Sequence, residues 1–552
     1  MKKSCTHCRQ EFEIFPEDIA FYKDMDVPPP THCYLCRMQR RLAYRNERFL
    51  YHRKCDKTGK QIISSFSVNK PFPVYDIDAW WGDGWDPLSF GRTFDESRPF
   101  FEQFFELRDL VPRLALQHQK PMENSDYCNC ASRNKNCYLT FSTNLCEDCY
   151  YGSWINSCKD CIDNLNIEEC ELCYECTSCC ECYNLQYSRD CHNCSDSLYL
   201  RSCTSCTSCF GCSNQVNKKY MVFNEQKTKM EYDDFLKKVR TGSHSEMQAA
   251  RSQIDVLLQD QIVKEFHGTN LEHSTGDYLR NCKNCFLAFD CDNCEDVRYS
   301  MCLNESKSSM DHSYWGKNCE RIYECQACGY DLFNIRFCNL CWENCSNLTY
   351  CDQCFSSQDC FGCVGLKKAR YCILNMQYTK EEYEALVPKI IEHMKAQGDY
   401  GEFFPVARSA YAYNETLANE QIPLSKEEVL KLGWQWQEDD ESIRSQYLGP
   451  IAQLPDSIDD VTDDITKQIL TCAASGKPFK IIPQELKFYR RMQIPIPRLC
   501  PDERHKERLQ LRNPRKLWQR TCAKCSKEIQ TTYSPERPEI VYCEECYLST
   551  VY

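Results

Sequence analysis

The sequence predicts a multidomain protein, mainly β with helical caps, in which duplicated zinc-ribbon modules at both termini flank two Cys-rich tandem-repeat, β-solenoid-like domains. Three observations lead there. Residues 5–80 recur without a gap at 472–547, Cys-x2-Cys pairs recur at 12-residue steps through the middle, and 46 of the 552 residues are cysteine. A short fixed period stacked many times is the signature of solenoids.

The duplication is read at a shift of 467 positions. Phe12, Tyr22, Met25, Pro28 and Cys33 fall on Phe479, Tyr489, Met492, Pro495 and Cys500, and Cys55 falls on Cys522. The full plan has four Cys-x2-Cys knuckles, and the copies have kept different halves of it. The N-terminal copy keeps the first two as Cys5, Cys8, Cys33 and Cys36; its third retains only Cys55 with Thr58, and its fourth is Asp76 and Ala79. The C-terminal copy keeps Cys522, Cys525, Cys543 and Cys546, while its first two have become Cys472 with Ser475 and Cys500 with Glu503.

That reciprocal loss carries topology. Zinc takes four ligands in a tetrahedron, which two knuckles supply. Cross-braced pairing of knuckles one and three leaves each copy two half-sites, whereas sequential pairing leaves each copy one complete site. The expectation is at least two zinc ions per chain, one in each module. Eight buried structural thiols do not explain why each copy loses ligands from one consecutive pair of knuckles and keeps the other pair complete. Cys55, Cys472 and Cys500 are read as core thiols.

The ribbon signature, Cys-x2-Cys, a Phe four residues on, then Phe-Tyr, Pro and Cys-x2-Cys-Arg, resembles the bacterial probable zinc-ribbon domain. Arg45-Asn46-Glu47-Arg48, Trp80-Trp81, Tyr411 to Thr416 and Val541 to Tyr547 make the whole chain similar to a family of large Cys-rich zinc-ribbon proteins of candidate-phyla (Patescibacteria-type) bacteria. The resemblance implies zinc ribbons and supplies no activity.

A chain of this length divides into several domains. We read a zinc-ribbon module over 1–85, an aromatic loop and packing helix over 86–122, repeat domain 1 with its helical cap over 123–240, and a linking helix over 241–276. Repeat domain 2 with its cap follows over 277–400, then an acidic linker segment over 401–467 and the second ribbon module over 468–552. The start of the chain has no apolar leader and no run of about 18 apolar residues follows, which predicts a reducing cytoplasm with thiols free or metallated. With only 18 glycines and neither G-x-G-x-x-G nor G-x-x-x-x-G-K-[ST], the sequence offers no phosphate-cradling loop. The net charge of −13 hides a polarity: residues 1–60 carry +5 and residues 468–552 carry +7, leaving −25 between them. Glu438 to Asp464 reads as a solvated acidic linker.

Along the chain, the tryptophans of 80–85 are expected to cap the first ribbon against a helix over about 95–110. In the first repeat domain the cysteines from Cys128 to Cys212, apart from Cys130 and Cys180, keep one frame modulo three. The endings of the two repeat domains match at a shift of 151, each with Thr-x-x-Glu opening a helix. Two readings of these cysteines stay open. One is a thiol-cored solenoid, with Tyr138, Tyr150, Tyr174 and Tyr183 in the adjoining layers; the other places a zinc between neighbouring knuckles. A helix is expected over 244–266, and another over 379–397 that Pro388 bends or breaks.

After the second knuckle of each module comes a basic segment. Arg37, Arg41, Arg45 and Arg48 stand at helical spacing, as do Arg504, Arg508, Arg512 and Arg515. Such a face fits phosphate, which predicts a polyanion, RNA or a ribonucleoprotein, as partner. The same arginines could instead pair with the acidic middle of the chain. No catalytic residue, membrane segment or small-molecule substrate is predicted. The function expected is a non-enzymatic zinc-binding scaffold that holds a polyanion. The alternatives are a protein assembly adaptor using the solenoid faces and a thiol-based metal buffer or redox protein.

Overall fold

A computed structural model describes residues 1–239, 242–259, 261–438 and 454–551. The fold is mainly β and built of many sheets, with helices in the minority and a four-cysteine cluster near each end.

The terminal duplication holds element by element. Helices Pro16–Asp24 and Tyr34–Leu42 recur as Pro483–Met492 and Pro501–Gln510, and the hairpin Tyr51–Lys54 with Gln61–Ser64 recurs as Trp518–Thr521 with Glu528–Thr531. Pro16 and Pro483 open their helices at the position where a missing N–H is harmless. All four knuckle hairpins turn through a left-handed residue, Arg9, Gly59, Gly476 and Ser526. The turn therefore survives in the one hairpin knuckle of each copy that lost a cysteine.

Between the modules the chain returns on itself. Ser153 and Ile155 pair in parallel with Leu165 and Ile167, and the same offset of 12 links strands Phe141–Asn144 and Thr177–Cys180 to this stack. We call this the first ladder. In the second ladder the offset is 12 at Leu279 with Cys291, 13 at Ser309 with Ile322 and at Phe333 with Ser346, and 12 again at Leu348 with Cys360. From Cys130 to Phe223 every third residue has a left-handed backbone. Each such residue turns the chain, so a 12-residue return has four sides. Asn and Asp adopt this backbone most easily among non-glycine residues, and Asn136, Asp148, Asp160 and Asp163 are among them.

The cysteine frame follows from these corners. A cysteine just after one corner points inward, where four short sides leave room for little more than a thiol. Cys158 Sγ lies 3.1 Å from the Asn156 carbonyl and 3.6 Å from that of Ile167; Cys170 repeats this at 3.2 and 3.6 Å. Thiols thus reach carbonyls two residues back and nine ahead, and pack as one continuous apolar column. Cys130 and Cys302 instead occupy corners themselves, and with Cys180 they are the ladder cysteines that are not buried.

Several expectations need correction. Tyr138, Tyr150 and Tyr174 share one side of the first ladder, but Tyr183 belongs to another side, aligned with Glu171 and Ser195, and is 46% exposed. Trp80 packs on Phe355 of the second ladder, while Phe100 and Phe104 of the helix Phe100–Leu110 meet Phe361 and Phe404. The tryptophans therefore join the module to the ladder rather than to that helix. Helix His244–Gln259 ends before Ile262, because Ile262–Lys264 pairs as a strand with Ile540–Tyr542. Helix Lys380–Gln397 passes unbroken through Pro388; Thr379 and Glu382 cap its start, and Ile390 and Met394 anchor its far half in the core. Of the acidic run, residues 439–453 lie outside the described residues. Beyond them, Ile458, Val461 and Ile465 are buried against the C-terminal module rather than solvated.

Candidate metal centres and their arginine clamps

Each intact cluster is built by a hairpin turn and a helix start. Cys5 and Cys8 lie in the turn after strand Lys2–Ser4, while Cys33 caps and Cys36 begins helix Tyr34–Leu42. In the other module Cys522 and Cys525 lie in the hairpin turn, and Cys543 and Cys546 at the start of helix Glu544–Val551. A helix start favours thiolates through its unpaired N–H groups. Within each foursome the ligand atoms all lie within 4.8 Å of one another. Cys8 Sγ is 3.7 Å from Cys33 Sγ, and Cys525 Sγ is 3.7 Å from Cys543 Sγ. Metal–sulfur bonds of about 2.3 Å arranged tetrahedrally put sulfurs about 3.8 Å apart, so the donor set fits a metal ion of that size. Knuckles pair one with two and three with four, the sequential order.

The vacated sites are filled by hydrogen bonds instead. In the first module Thr58 and Asp76 donate their backbone N–H groups to Cys55 Sγ at 3.4 and 3.3 Å, and Thr58 Oγ1 donates to Asp76. In the second, Cys500 N–H donates to Cys472 Sγ at 3.3 Å. A third metal-like group, Cys180, Glu181 and His192, sits at the surface, where the Arg280 guanidinium 4.0 Å from Cys180 Sγ opposes a cation.

The arginines predicted to form exposed basic faces are placed otherwise. Both helices end early, at Leu42 and Gln510, so Arg45, Arg48, Arg512 and Arg515 lie in the following loops. Arg37, Arg41, Arg45, Arg504, Arg508 and Arg515 are buried, and the Arg48 and Arg512 side chains are 10% and 8% exposed. Arg37 and Arg41 straddle Asp311 of the second ladder at 2.8 and 3.0 Å. Their counterparts Arg504 and Arg508 straddle Asp163 of the first ladder at 2.8 and 3.1 Å. Both aspartates are fully buried at left-handed corners. Arg45 pairs with Glu47, Arg48 with Asp502, and Arg512 and Arg515 with Asp290. A guanidinium taken out of water needs a carboxylate, and the ladders supply it.

Neighbouring groups complete the seats. Arg40 bridges Glu324 and Glu402 at 2.7 Å each. Burial pushes Glu402 up, but His32, Arg40 and Thr31 outweigh it and hold the carboxyl well below its usual range. Asp18 accepts from Arg298 and Tyr299, and its counterpart Glu485 accepts from Tyr151 and Tyr489. These acidic partners were not singled out in the sequence. The available signal was Asp at a corner position inside the cysteine frame, as at 163 and 311.

One acid–base pair in this interface is tuned away from charge. Glu420 lies 3.7 Å from His505, whose two ring nitrogens lack hydrogen-bond partners. Burial, reinforced by Asp502 against Arg48 and Arg515, raises Glu420 to about 7; burial and nearby cations hold His505 well below its ordinary value. The folded form therefore keeps a proton that the unfolded chain releases near pH 4.3. That contribution is complete at acid pH and is lost as pH rises from about 4.5 to 7. Glu420→Gln is expected to stabilise the protein at pH 8, by up to about 3 kcal/mol and hence with a higher melting midpoint, and to leave its stability nearly unchanged at pH 4.5. Thermal melts of both proteins at the two pH values check this; equal shifts at both contradict it.

No protein-family model matches the chain, and no curated protein matches it. Among solved structures, a "putative acetyltransferase" from Desulfovibrio desulfuricans G20 is matched at 7% identity and a TM-score of 0.11, over 42% of this chain and 63% of that one. The chain thus spans under two thirds of that protein, and a likeness of this size carries no argument about fold or activity.

Proposed function

We propose that the protein is a non-enzymatic, zinc-bearing scaffold for protein assembly. In this reading the ladders are β-solenoids, each clamped by both zinc ribbons, and their outer faces hold partner proteins. The supporting observation is the use of the module arginines. A polyanion-binding face needs free guanidinia, and here Arg37, Arg41, Arg504 and Arg508 are engaged with buried carboxylates of the same chain. Zinc is the metal that four thiolates in tetrahedral reach suit best. Affinity capture of the full chain from its host, with and without nuclease, tests the reading. Protein partners should stay after nuclease treatment, and their complete loss would restore the nucleic-acid reading.

A thiol-based buffer needs accessible, acidic thiols. Of the 46 cysteines only Cys8, Cys130, Cys180, Cys302, Cys525 and Cys546 are not buried. Burial pushes Cys128 and Cys180 up to about 11, and Cys130, Cys302, Cys319 and Cys345 up to about 12. With both clusters metallated, titration of native protein with a disulfide reagent should reach at most about three thiols, and all of them only after denaturation. Rapid reaction of most thiols in the native state would favour the buffer.

A further inference from the structure

The two ladders lie against each other with a cleft of about 470 Å³ between them, within the range of about 300–1,000 Å³ typical of ligand sites. Its walls are stripes set by the ladder register. On one side Ser132, Asn144, Asn156 and Glu168 stack at the 12-residue offset; on the other, Arg280, Asp292 and Asn304 do the same. Cross-ladder hydrogen bonds close both ends. Arg280 donates to Glu168 at 3.0 Å, and Tyr330 OH donates to Gln119 Oε1 at 3.0 Å. Trp154, Tyr314, Trp315 and Trp342 line the cleft between these closures.

Two features point to a ligand. Tyr314 is 6% exposed and its hydroxyl lacks a hydrogen-bond partner, and buried Asp292 Oδ1 lacks one as well. Buried polar atoms are normally satisfied, and leaving one bare costs about 1–3 kcal/mol. The charges inside the cleft, away from its rim, are already matched: Arg280 by Glu168 and Asp292, Asp290 by Arg512 and Arg515, and Arg45 by Glu47. Arg133, at the rim, donates to Asn144. What remains is a row of amides, an unpaired hydroxyl, an unpaired carboxylate oxygen and several aromatic rings.

We infer that the inter-ladder cleft binds a neutral oligosaccharide. Sugar hydroxyls donate and accept, which suits the amides, the Tyr314 hydroxyl and Asp292, and the apolar faces of the sugar rings suit the indoles. A phosphorylated or sulfated ligand would meet Glu168 and Asp292 inside the cleft, where the one guanidinium without a carboxylate, Arg133, is exposed at the rim. Arg45 and Asp290 of the clamps border the cleft, but the residues varied below lie in the two stripes and join no clamp, so this test and that of the scaffold reading can fail separately.

The full-length zinc-loaded protein would be titrated with chitohexaose, cellohexaose and maltohexaose, read by tryptophan fluorescence and calorimetry. Asn156→Trp and Asn304→Trp place a bulky ring in the cleft from exposed positions whose side chains make no recorded hydrogen bond. At least one of the three sugars should bind saturably, each variant should weaken it at least about tenfold, and heparin should not displace it. Zinc content and melting midpoint should match the parent in both variants. Failure of all three sugars to bind, undiminished affinity in both variants, or displacement by heparin overturns the inference.

Discussion

Removing either buried aspartate at the seats of the modules is expected to destabilise the protein by about 3–5 kcal/mol, the usual consequence of leaving a buried charge without its partner. Asp311→Ala takes the nearest carboxylate from Arg37 and Arg41, leaving Arg37 only Glu324 at 3.8 Å; Asp163→Ala takes it from Arg504 and Arg508, leaving them Glu485 and Glu175, each at 3.5 Å. The loss should persist at high salt, because screening hardly reaches a desolvated pair. Replacing the three residues by apolar ones, as in Asp163→Leu with Arg504→Met and Arg508→Met, should recover only part of it, because Glu485 and Glu175 then lose their cations. Denaturant midpoints at low and high salt measure all of these. A loss below about 1 kcal/mol is what exposed ion pairs give, and it would mean that the arginines are not seated as described.

The second large effect concerns metal. Cys8→Ser is expected to lower bound zinc from two ions per chain to one and to leave the C-terminal site filled, with Cys525→Ser doing the reverse. A four-cysteine site carries roughly 10–16 kcal/mol of apparent binding free energy near neutral pH, so its own hairpin and helix start should unfold with it. Metal analysis and limited proteolysis read the two sites separately. Loss of both ions from either single change would show the clusters to be interdependent and contradict sequential pairing.

Much of this was legible because it is local or periodic. The foursomes at 5/8/33/36 and 522/525/543/546 follow from ligand chemistry and duplication, and the ladder offset of 12 from cysteine spacing. The arginines show where such reading stops. Their spacing was visible, but helix Tyr34–Leu42 ends before Arg45, and nothing local to residue 37 announces a carboxylate at residue 311. Long-range pairing of opposite charges leaves no period in a sequence. Tyr183 was misplaced for a related reason: a spacing in threes identifies inward and outward positions but not which of four sides a residue occupies.

The modules also sit crosswise. The first sends its helix arginines to the second ladder and its loop, through Arg45 and Arg48, to Ser142 and Ser153 of the first; the last module does the opposite, with Asp163 under its helix and Asp290 under its loop. Synthesis makes this arrangement asymmetric in time. Arg37 and Asp311 are 274 residues apart, so at translation rates of about 5–20 residues per second the first module waits on the order of 15–55 seconds for its seat. Its four-cysteine site spans only residues 5–36 and can close long before then. The C-terminal module emerges onto seats that already exist, and the Arg48–Asp502 contact joins the two modules directly. Folding is therefore completed by two modules made far apart in time, and a ribosome stalled before residue 311 holds a ribbon whose basic helix has no carboxylate partner yet.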